Sequence, residues 1–363
     1  MRVLFLCGFH PTHDAVSSGP KIVVREIDAL TAKGWEVVTV SFENELDRRH
    51  YKQGFSAPLG NKSRIFRLTP SLRLLAALRF PTLPLAASAR SFIAGRYVRK
   101  LITETAFDRI DVEFIQAAEL LPRREWSRAT LVSHDVLSQL YERRYQHAKP
   151  SRKLLALAEW QRVRRWETEV LRGFGRVTVL NEKDRKLVEV MTGRSDITVR
   201  YPEVPRYIDP KERTSSSIDT SMMLFWGHLG RQENVDAVHF FVNKIMPQIL
   251  AQKPDARFVV AGIDPPQSVR ELASRAITVT GYVEDPSYLF RSAAVGVVPM
   301  RLGAGIKIKT LEMIACGLPV VATSVGAEGV MTADLLTVVD DEAEFSAAVV
   351  ARLNSLVLDG RRN

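Results

Sequence analysis

The residues of this chain best suited to chemistry lie between Pro299 and Thr323, in the stretch PMRLGAGIKIKTLEMIACGLPVVAT. Gly303 and Gly305 permit a tight bend in which the backbone approaches a ligand. A helical pattern follows and ends at Gly317. The N-terminus of such a helix presents free N–H groups and the positive end of the helix dipole, which suits an anion and most often a phosphate. The sequence therefore predicts an anion-binding site at the start of this helix.

Three charged side chains support this prediction. Lys307 and Lys309 are expected in the first helical turn, where their charge opposes the helix dipole and suggests a ligand that favours cations. Glu312, one turn later, offers a carboxylate that can accept hydrogen bonds from a ribose diol. The alternative is an ordinary strand–helix–strand crossover with surface lysines, in which Glu312 pairs with Lys309 three residues before it.

The elements that must position these residues alternate between strand and helix along most of the chain, which predicts parallel, doubly wound α/β sheets. In the first half the pattern predicts strands at 3–7, 37–42, 111–116, 129–133 and 176–180, and helices at 22–33, 149–173 and 181–191. In the second half it predicts strands at 222–226, 257–261, 277–280, 295–299, 320–322 and 335–339, and helices at 236–251 and 286–293.

A loop-rich stretch at 201–221, with three prolines, separates the two halves. We predict one Rossmann-like domain over 1–205 and a second over 206–363, since a chain of 363 residues exceeds the size at which single cores stop growing. Two such domains are expected to face each other across a cleft, with ligands at the carboxyl ends of the strands.

The formal net charge of +10 is unevenly distributed. Between Arg48 and Thr103 the sequence has no Asp or Glu, and basic residues alternate with apolar ones. This basic insertion, near 48–103 and expected to be helical from 58 to 105, favours contact with an anionic membrane surface. The alternative is a solvated basic face over ordinary core helices. Nucleic acid is not an expected partner, because no recognised nucleic-acid module accompanies the charge.

Composition disfavours several other classes. Cys7 and Cys316 do not form a metal-ligand spacing and suggest a reducing compartment without a disulfide framework. The first apolar run is too short for a signal peptide, and no stretch approaches the roughly 20 apolar residues that span a bilayer. No Asp-x-Asp pair lies near a strand end in the expected cleft, so a divalent metal is not implied. No other cofactor is expected. A nicotinamide enzyme is disfavoured because no GxGxxG follows a strand.

The stretch 299–323 resembles the donor-binding signature of retaining nucleotide-sugar glycosyltransferases of family 4, which have the two-domain GT-B fold. More narrowly, it resembles a bacterial branch with the signature P-L-R-x-G-x-G-x-[RK]-x-K-x-L-E. The matching residues are Pro299, Arg301, Gly303, Gly305, Lys307, Lys309, Leu311, Glu312, Ala315, Gly317, Pro319, Val320, Val321 and Thr323. In this family the N-terminal domain binds the acceptor and the C-terminal domain binds the nucleotide sugar.

The resemblance implies roles for residues throughout the chain. The donor diphosphate would lie against Gly19, Gly227, Arg231, Gly303, Gly305, Lys307 and Lys309. Glu312 would bind the ribose, and the loop of Gly281, Tyr282 and Val283 would contact the nucleobase. His134 and Asp135, which follow a predicted strand, are the candidate catalytic residues that would face the sugar or the acceptor.

The chain departs from the family pattern at several positions. Ala304 stands where the first of two glutamates is usual, and Pro20 replaces a glycine. His228 and Glu233 stand where many members carry an arginine and a lysine that grip the diphosphate. Relatives also continue past the last strand–helix unit with a helix that crosses back to the N-terminal domain. This crossing helix is expected to be short or absent here.

The resemblance implies a retaining, metal-independent bacterial glycosyltransferase. It would move a sugar from a nucleotide diphosphate sugar to a hydroxyl of a lipid-linked or cell-surface glycan precursor. Its expected location is the cytoplasm, peripheral on the inner face of the cytoplasmic membrane. Two alternatives stay open: a nucleotide-sugar epimerase of the same fold, and a non-catalytic member that binds a glycan or a partner protein.

Overall fold

The computed structural model describes residues 1–13, 15, 18–44, 63–80, 82–330 and 334–359. The chain divides into two compact units, Met1–Pro202 and Glu203–Asn363, each built around one sheet. The prediction of two doubly wound α/β sheets is confirmed, because every strand pair in both sheets is parallel. Residues 48–62 of the predicted basic insertion lie outside the described residues. No described helix has the length and apolarity needed to cross a membrane.

The N-terminal unit has a seven-stranded sheet in the order β3-β2-β1-β4-β5-β6-β7. Its strands are β1 Arg2–Cys7, β2 Glu36–Asn44, β3 Arg64–Leu68, β4 Arg109–Glu113, β5 Thr130–Ser133, β6 Arg176–Val179 and β7 Ile197–Val199. Its α-helices are α1 Ser18–Ala32, α2 Pro70–Arg79, α3 Leu85–Glu104, α4 Leu137–Gln146, α5 Lys153–Gly173 and α6 Glu182–Thr192. The strand order reverses between β1 and β4, which opens a crevice at the carboxyl edge of the sheet.

Local sequence explains these elements. The residues of β1 from Val3 to Cys7 are fully buried, as expected for a parallel strand covered by helices on both sides. Helix α6 begins where the side chain of Asn181 accepts a hydrogen bond from the N–H of Asp184, and it ends at Gly193 with φ 74°.

The C-terminal unit has a six-stranded sheet in the order β10-β9-β8-β11-β12-β13. Its strands are β8 Asp219–Trp226, β9 Arg257–Ala261, β10 Ile277–Gly281, β11 Ala293–Val298, β12 Val320–Ala322 and β13 Leu336–Val338. Its α-helices are α7 Gln232–Phe240, α8 Met246–Gln252, α9 Gln267–Arg270, α10 Ser287–Ser292, α11 Ile308–Ala315 and α12 Glu342–Asp359. Here the strand order reverses between β8 and β11.

The segment that precedes β8 packs onto this second sheet. The guanidinium of Arg213 donates to the carbonyl oxygens of Phe290 and Ala293, at the end of α10. The ring of Tyr207 packs against Phe290 and Trp226, with centroids 4.7 and 5.7 Å away. Residues before the first strand of the unit therefore complete its core.

The structure corrects the predicted elements at several places. The segment 58–105, predicted as helical, contains the edge strand β3 between the undescribed part and α2. Helix α4 and the three-residue strand β7 were not predicted. The single helix predicted at 236–251 is two helices joined by a π-helical turn at Phe241–Ile245, just before Pro247, which has no N–H to continue the helical ladder.

Candidate functional site

The strand-order reversal in the C-terminal sheet brings together most of the predicted site residues. β8 ends at Trp226 and β11 ends at Val298, and the loops 227–231 and 299–307 follow them. Gly303 has φ 116° and Gly305 has φ 70°, so both positions need glycine. Ligands of open α/β sheets bind at such a point, which makes this the first candidate site.

Lys307 lies just before α11, which begins at Ile308, so the predicted placement of Lys307 in the first helical turn is wrong. Its ammonium donates to the carbonyl oxygens of Gly305 and Ala304, at 2.8 and 3.2 Å, and lies 3.1 Å from the carboxylate of Glu328. The side chains of Lys307 and Glu328 are both more than nine-tenths buried. Lys307 therefore fastens the glycine loop to the segment after β12, and its contact with a phosphate stays a prediction.

Lys309 lies in the first turn of α11, as predicted. Its Nζ lies 2.5 Å from Oδ1 of Asn234 and 4.4 Å from the ring centroid of Phe225. Burial, reinforced by the nearby charge of Arg231, lowers the pKa of Lys309 to about 7. A Cβ on Gly227 would lie 2.7 Å from this Nζ, so the glycine leaves room for the ammonium. A partly buried cation with a lowered pKa at the strand-order reversal would be stabilised by a bound anion.

Glu312 is buried, so it is not the surface carboxylate of the alternative interpretation. Its Oε2 accepts a hydrogen bond of 3.1 Å from the indole N–H of Trp226, and its Oε1 accepts one of 3.2 Å from the hydroxyl of Tyr207. Burial, and next the charge of Glu312, raise the pKa of Tyr207, which keeps this hydroxyl protonated as a donor. Two donors therefore hold the carboxylate at the end of β8.

The other predicted donor contacts lie around this point. Arg231 immediately precedes α7, and its side chain is 55% exposed. Gly281 ends the edge strand β10 with φ 72°, and the following Tyr282 is exposed. The structure thus places the predicted nucleobase loop, Gly281, Tyr282 and Val283, two strands away from β8.

Arg301 and His228, two basic residues of the same edge, have carboxylate partners. Arg301 forms a two-point ion pair with Asp236, at 2.6 and 3.1 Å. His228 lies 3.2 Å from Asp264, whose φ of 58° is rare for a residue other than glycine.

A second group of residues lies at the strand-order reversal of the N-terminal sheet. Nε2 of His134, just after β5, lies 2.7 Å from Oε2 of Glu113, the last residue of β4. The other oxygen of Glu113 lies 3.4 Å from the guanidinium of Arg200. Phe114 has φ 68° and stacks on the imidazole of His134 with ring centroids 3.8 Å apart. Gly19 leaves room for Phe114, since a Cβ there would lie 2.9 Å from its ring.

The partner of Nε2 assigns the tautomer of His134. An ionised carboxylate only accepts hydrogen bonds, so Nε2 carries a proton, and in the neutral imidazole Nδ1 is then the acceptor. Nδ1 is buried, has no hydrogen-bond partner among the described residues, and lies 3.7 Å from where a Cβ of Gly19 would be. This atom suits a hydroxyl donor. Glu113 was not predicted as a site residue, although an acidic residue at the end of a buried strand is a signal visible in the sequence.

Asp135 is held less directly. Its carbonyl oxygen accepts a hydrogen bond of 2.9 Å from the hydroxyl of Ser133. The buried carboxylate of Glu167 accepts the backbone N–H groups of Leu137 and Ser138, each at 2.7 Å, and thereby caps α4. Burial raises the pKa of Glu167 to about 7. Glu167 thus fixes the chain that carries His134 and Asp135.

Comparison with known proteins agrees with this organisation. Residues 220–355 match the family model described as "Glycosyl transferases group 1". An uncharacterised 44.6 kDa protein in the cps region of Klebsiella pneumoniae is 26% identical over 140 residues, which are 35% of this chain. The match spans only 36% of that relative's length.

Solved structures resemble this chain over nearly its whole length. Sucrose-phosphate synthase from Thermosynechococcus elongatus is 16% identical, with a TM-score of 0.65 over 98% of this chain and 94% of that one. Anabaena HepE in complex with UDP and glucose is 14% identical, with a TM-score of 0.62 over 100% and 95%. An E. coli structure described as trehalose-6-phosphate bound with UDP-2-fluoro glucose is 14% identical, with a TM-score of 0.60 over 98% and 94%. The protein therefore has an α/β two-domain GT-B fold, and the match of residues 220–355 supports a glycosyltransferase of that fold.

Proposed function

We propose that this protein is a glycosyltransferase that moves a sugar from a nucleotide diphosphate sugar to a hydroxyl of a lipid-linked or cell-surface glycan precursor. The observation that carries the proposal is the placement, in the one helix α11 at the carboxyl edge of β8 and β11, of Lys309 beside Asn234 and of the carboxylate of Glu312 that Trp226 holds. The ammonium of Lys309 suits a diphosphate, and the carboxylate of Glu312 suits a ribose diol. HepE, which has a similar fold, binds UDP-glucose, which agrees with this class of donor.

The leaving diphosphate would be stabilised by groups already in place. Lys309 gains its full charge when an anion binds, and the glycine loop and the N-terminus of α11 supply N–H groups. Arg231 has an exposed side chain at the same edge and can add a second cation. Lys307 would contribute indirectly, by holding the glycine loop in its conformation through its bonds to Ala304, Gly305 and Glu328. This set of cations makes a metal unnecessary in the proposed reaction.

His134 would position rather than act as the sole base. Its Nδ1 can accept a hydrogen bond from a sugar hydroxyl, while the leaving diphosphate takes the proton of the acceptor and the anomeric configuration is retained. Nuclear magnetic resonance of the product anomer tests retention. Unchanged turnover in the presence of a chelator is expected if no metal takes part.

The first test is nucleotide binding. In a thermal-shift screen with UDP, GDP, ADP, TDP and CMP, we expect one nucleotide to raise the melting temperature, because a ligand that binds only the folded state stabilises it by mass action. Glu312→Gln should weaken that nucleotide by about ten-fold, or about 1.4 kcal/mol, through loss of the ribose contact. Glu271→Gln, an exposed carboxylate in the same unit, is the matched control.

The outcomes separate the proposal from its alternatives. If no nucleotide shifts the melting temperature, the donor site is wrong. Binding of a sugar nucleotide followed by release of an isomerised sugar nucleotide would identify an epimerase. Binding without turnover across a panel of glycan and lipid acceptors would favour the non-catalytic member.

Glu113→Gln tests the role of the histidine. The amide can no longer fix the Nε2–H tautomer, so we expect kcat to fall by about 10–100-fold with little change in the donor KM, as when a positioned catalytic group is displaced. An equal loss of nucleotide affinity in the variant would contradict this separation of roles. The melting temperature of the variant controls for loss of folding.

A location on the inner face of the cytoplasmic membrane belongs to the same proposal. It follows from the chemistry of a lipid-linked acceptor and from the basic charge of the N-terminal unit.

A further inference from the structure

Helix α2 turns large apolar side chains towards solvent. Leu74, Leu75 and Leu78 are 66%, 53% and 73% exposed, whereas Ala76 on the opposite side is buried. Leu74 and Leu78 are four residues apart, so they lie on one helix face. Folded soluble proteins rarely expose adjacent leucines in this way unless the patch binds something.

The start of α5 also exposes two adjacent leucines. Leu154 and Leu155 are 82% and 75% exposed. They follow three exposed basic residues, Lys149, Arg152 and Lys153.

A hydrogen bond links the start of α3, which follows α2, to α5. The backbone N–H of Leu85, the first residue of α3, donates a hydrogen bond of 3.0 Å to Glu159, one turn beyond Leu155 in α5. Leu85 is itself exposed and follows the end of α2 by six residues. We call the exposed leucines of these three helices the basic leucine surface: Leu74, Leu75, Leu78, Leu85, Leu154 and Leu155.

The charge around this surface indicates its partner. From Ser63 to Thr103 the chain has no acidic residue, and Arg73 and Arg79 flank the leucines of α2 in exposed positions. Anionic lipid attracts each such cation by about 1 kcal/mol, and exposed leucines can enter the boundary between headgroups and acyl chains. A second copy of this chain would bring like charges together, which disfavours association.

We infer that the basic leucine surface binds the anionic face of a lipid bilayer, with leucines from α2, α3 and α5 in contact with lipid at the same time. This inference deepens the proposed location and rests on the proposed function for the lipid-linked acceptor only. It adds α5, which lies outside the basic stretch of the sequence, to the membrane-binding surface.

Vesicle sedimentation of the full chain tests the inference. We expect binding to vesicles that contain phosphatidylglycerol, no binding to pure phosphatidylcholine, and weaker binding at high salt. Leu74→Ser with Leu78→Ser, and separately Leu154→Ser with Leu155→Ser, should each weaken binding by about ten-fold or more, because both parts contact lipid. Val190→Ser is the control, since Val190 is 86% exposed on α6, away from this surface.

Three results would overturn the inference: no binding to anionic vesicles, leucine variants that bind as well as the wild type, or a dimer that light scattering detects and the leucine variants abolish. Exposed substitutions rarely change stability by more than about 0.5 kcal/mol, so the melting temperature should be unchanged in all variants. The nucleotide-dependent thermal shift is measured on the same samples. Lipid binding without a nucleotide shift would contradict the donor site alone, and a nucleotide shift without lipid binding would contradict the surface alone.

Discussion

Replacing Glu328 by methionine is expected to destabilise the C-terminal unit by about 3–5 kcal/mol, because it leaves the buried ammonium of Lys307 without its carboxylate. Replacing Lys307 and Glu328 together by methionine should recover part of this loss, since an apolar pair removes both buried charges. Recovery is incomplete because the carbonyls of Gly305 and Ala304 lose a donor. Urea denaturation, monitored by intrinsic fluorescence, measures the free energies of unfolding of the wild type, the Glu328 variant and the double variant.

Arg291→Met is the matched control in the same unit. Arg291 pairs with Glu212 at 2.7 Å, but both side chains are more than a third exposed, so the loss should be below about 1 kcal/mol. If Lys307→Met leaves the free energy of unfolding unchanged and abolishes nucleotide binding, then Lys307 contacts the donor directly and the structural role assigned to it here is wrong.

Lys309→Met is expected to weaken the binding of the preferred nucleoside diphosphate by about 100-fold, or about 2.7 kcal/mol. The variant keeps the length of the side chain over Phe225 but removes the cation beside Asn234. Lys244→Met, an exposed lysine of the same unit, should leave the affinity unchanged. Isothermal titration calorimetry measures all three affinities.

The same residue predicts a pH dependence of binding. In the free protein the pKa of Lys309 is about 7, and a bound diphosphate raises it, so binding takes up a proton above pH 7. A phosphate with a pKa near 6 is already ionised there, so the affinity should fall by up to about ten-fold per pH unit because of the lysine. Calorimetry in buffers of different ionisation enthalpy counts the protons. A wild-type profile as flat as that of Lys309→Met would remove Lys309 from the site.

The free energy of unfolding depends on pH in the opposite direction to the nucleotide affinity. The folded-state pKa of Lys309 is lowered from 10.5 to about 7, so the unfolded chain binds more protons between these values. The contribution of Lys309 to the free energy of unfolding therefore rises with pH across that window and is least favourable below pH 7. Comparing urea midpoints of the wild type and Lys309→Met between pH 6 and pH 9 isolates this contribution.

The sequence predicted the parts of the fold that local patterns determine. Buried parallel strands such as β1 and β9 are continuous apolar runs, and the glycines that need positive φ stand out beside them. β3 was missed because its residues, RIFRL, belong to a basic edge strand that is only partly buried. β7 was missed because three residues are too few to show a period.

The same distinction applies to the candidate site: features that depend on a local motif can be proposed from the sequence, and pairs of residues distant in the chain cannot. The candidate anion site at α11 depends on a local motif, so its glycines and Lys309 could be proposed from the sequence alone. The partner of Lys307 lies 21 residues further along the chain, and the partner of His134 lies 21 residues before it. Such pairs depend on which strand ends the sheet brings together, which a single sequence does not reveal.

The segment that carries Tyr207 and Arg213 determines where the C-terminal unit can be cut if it is to be exchanged between related proteins. The family match begins at residue 220, but a C-terminal half cut there would lose the phenol that holds Glu312 and the guanidinium that satisfies the carbonyls at the end of α10. The transplantable module begins at Glu203. A chimaera joined at 220 would take its glycine loop, Gly303 to Gly305, from one parent and the phenol that holds the carboxylate of Glu312 from the other.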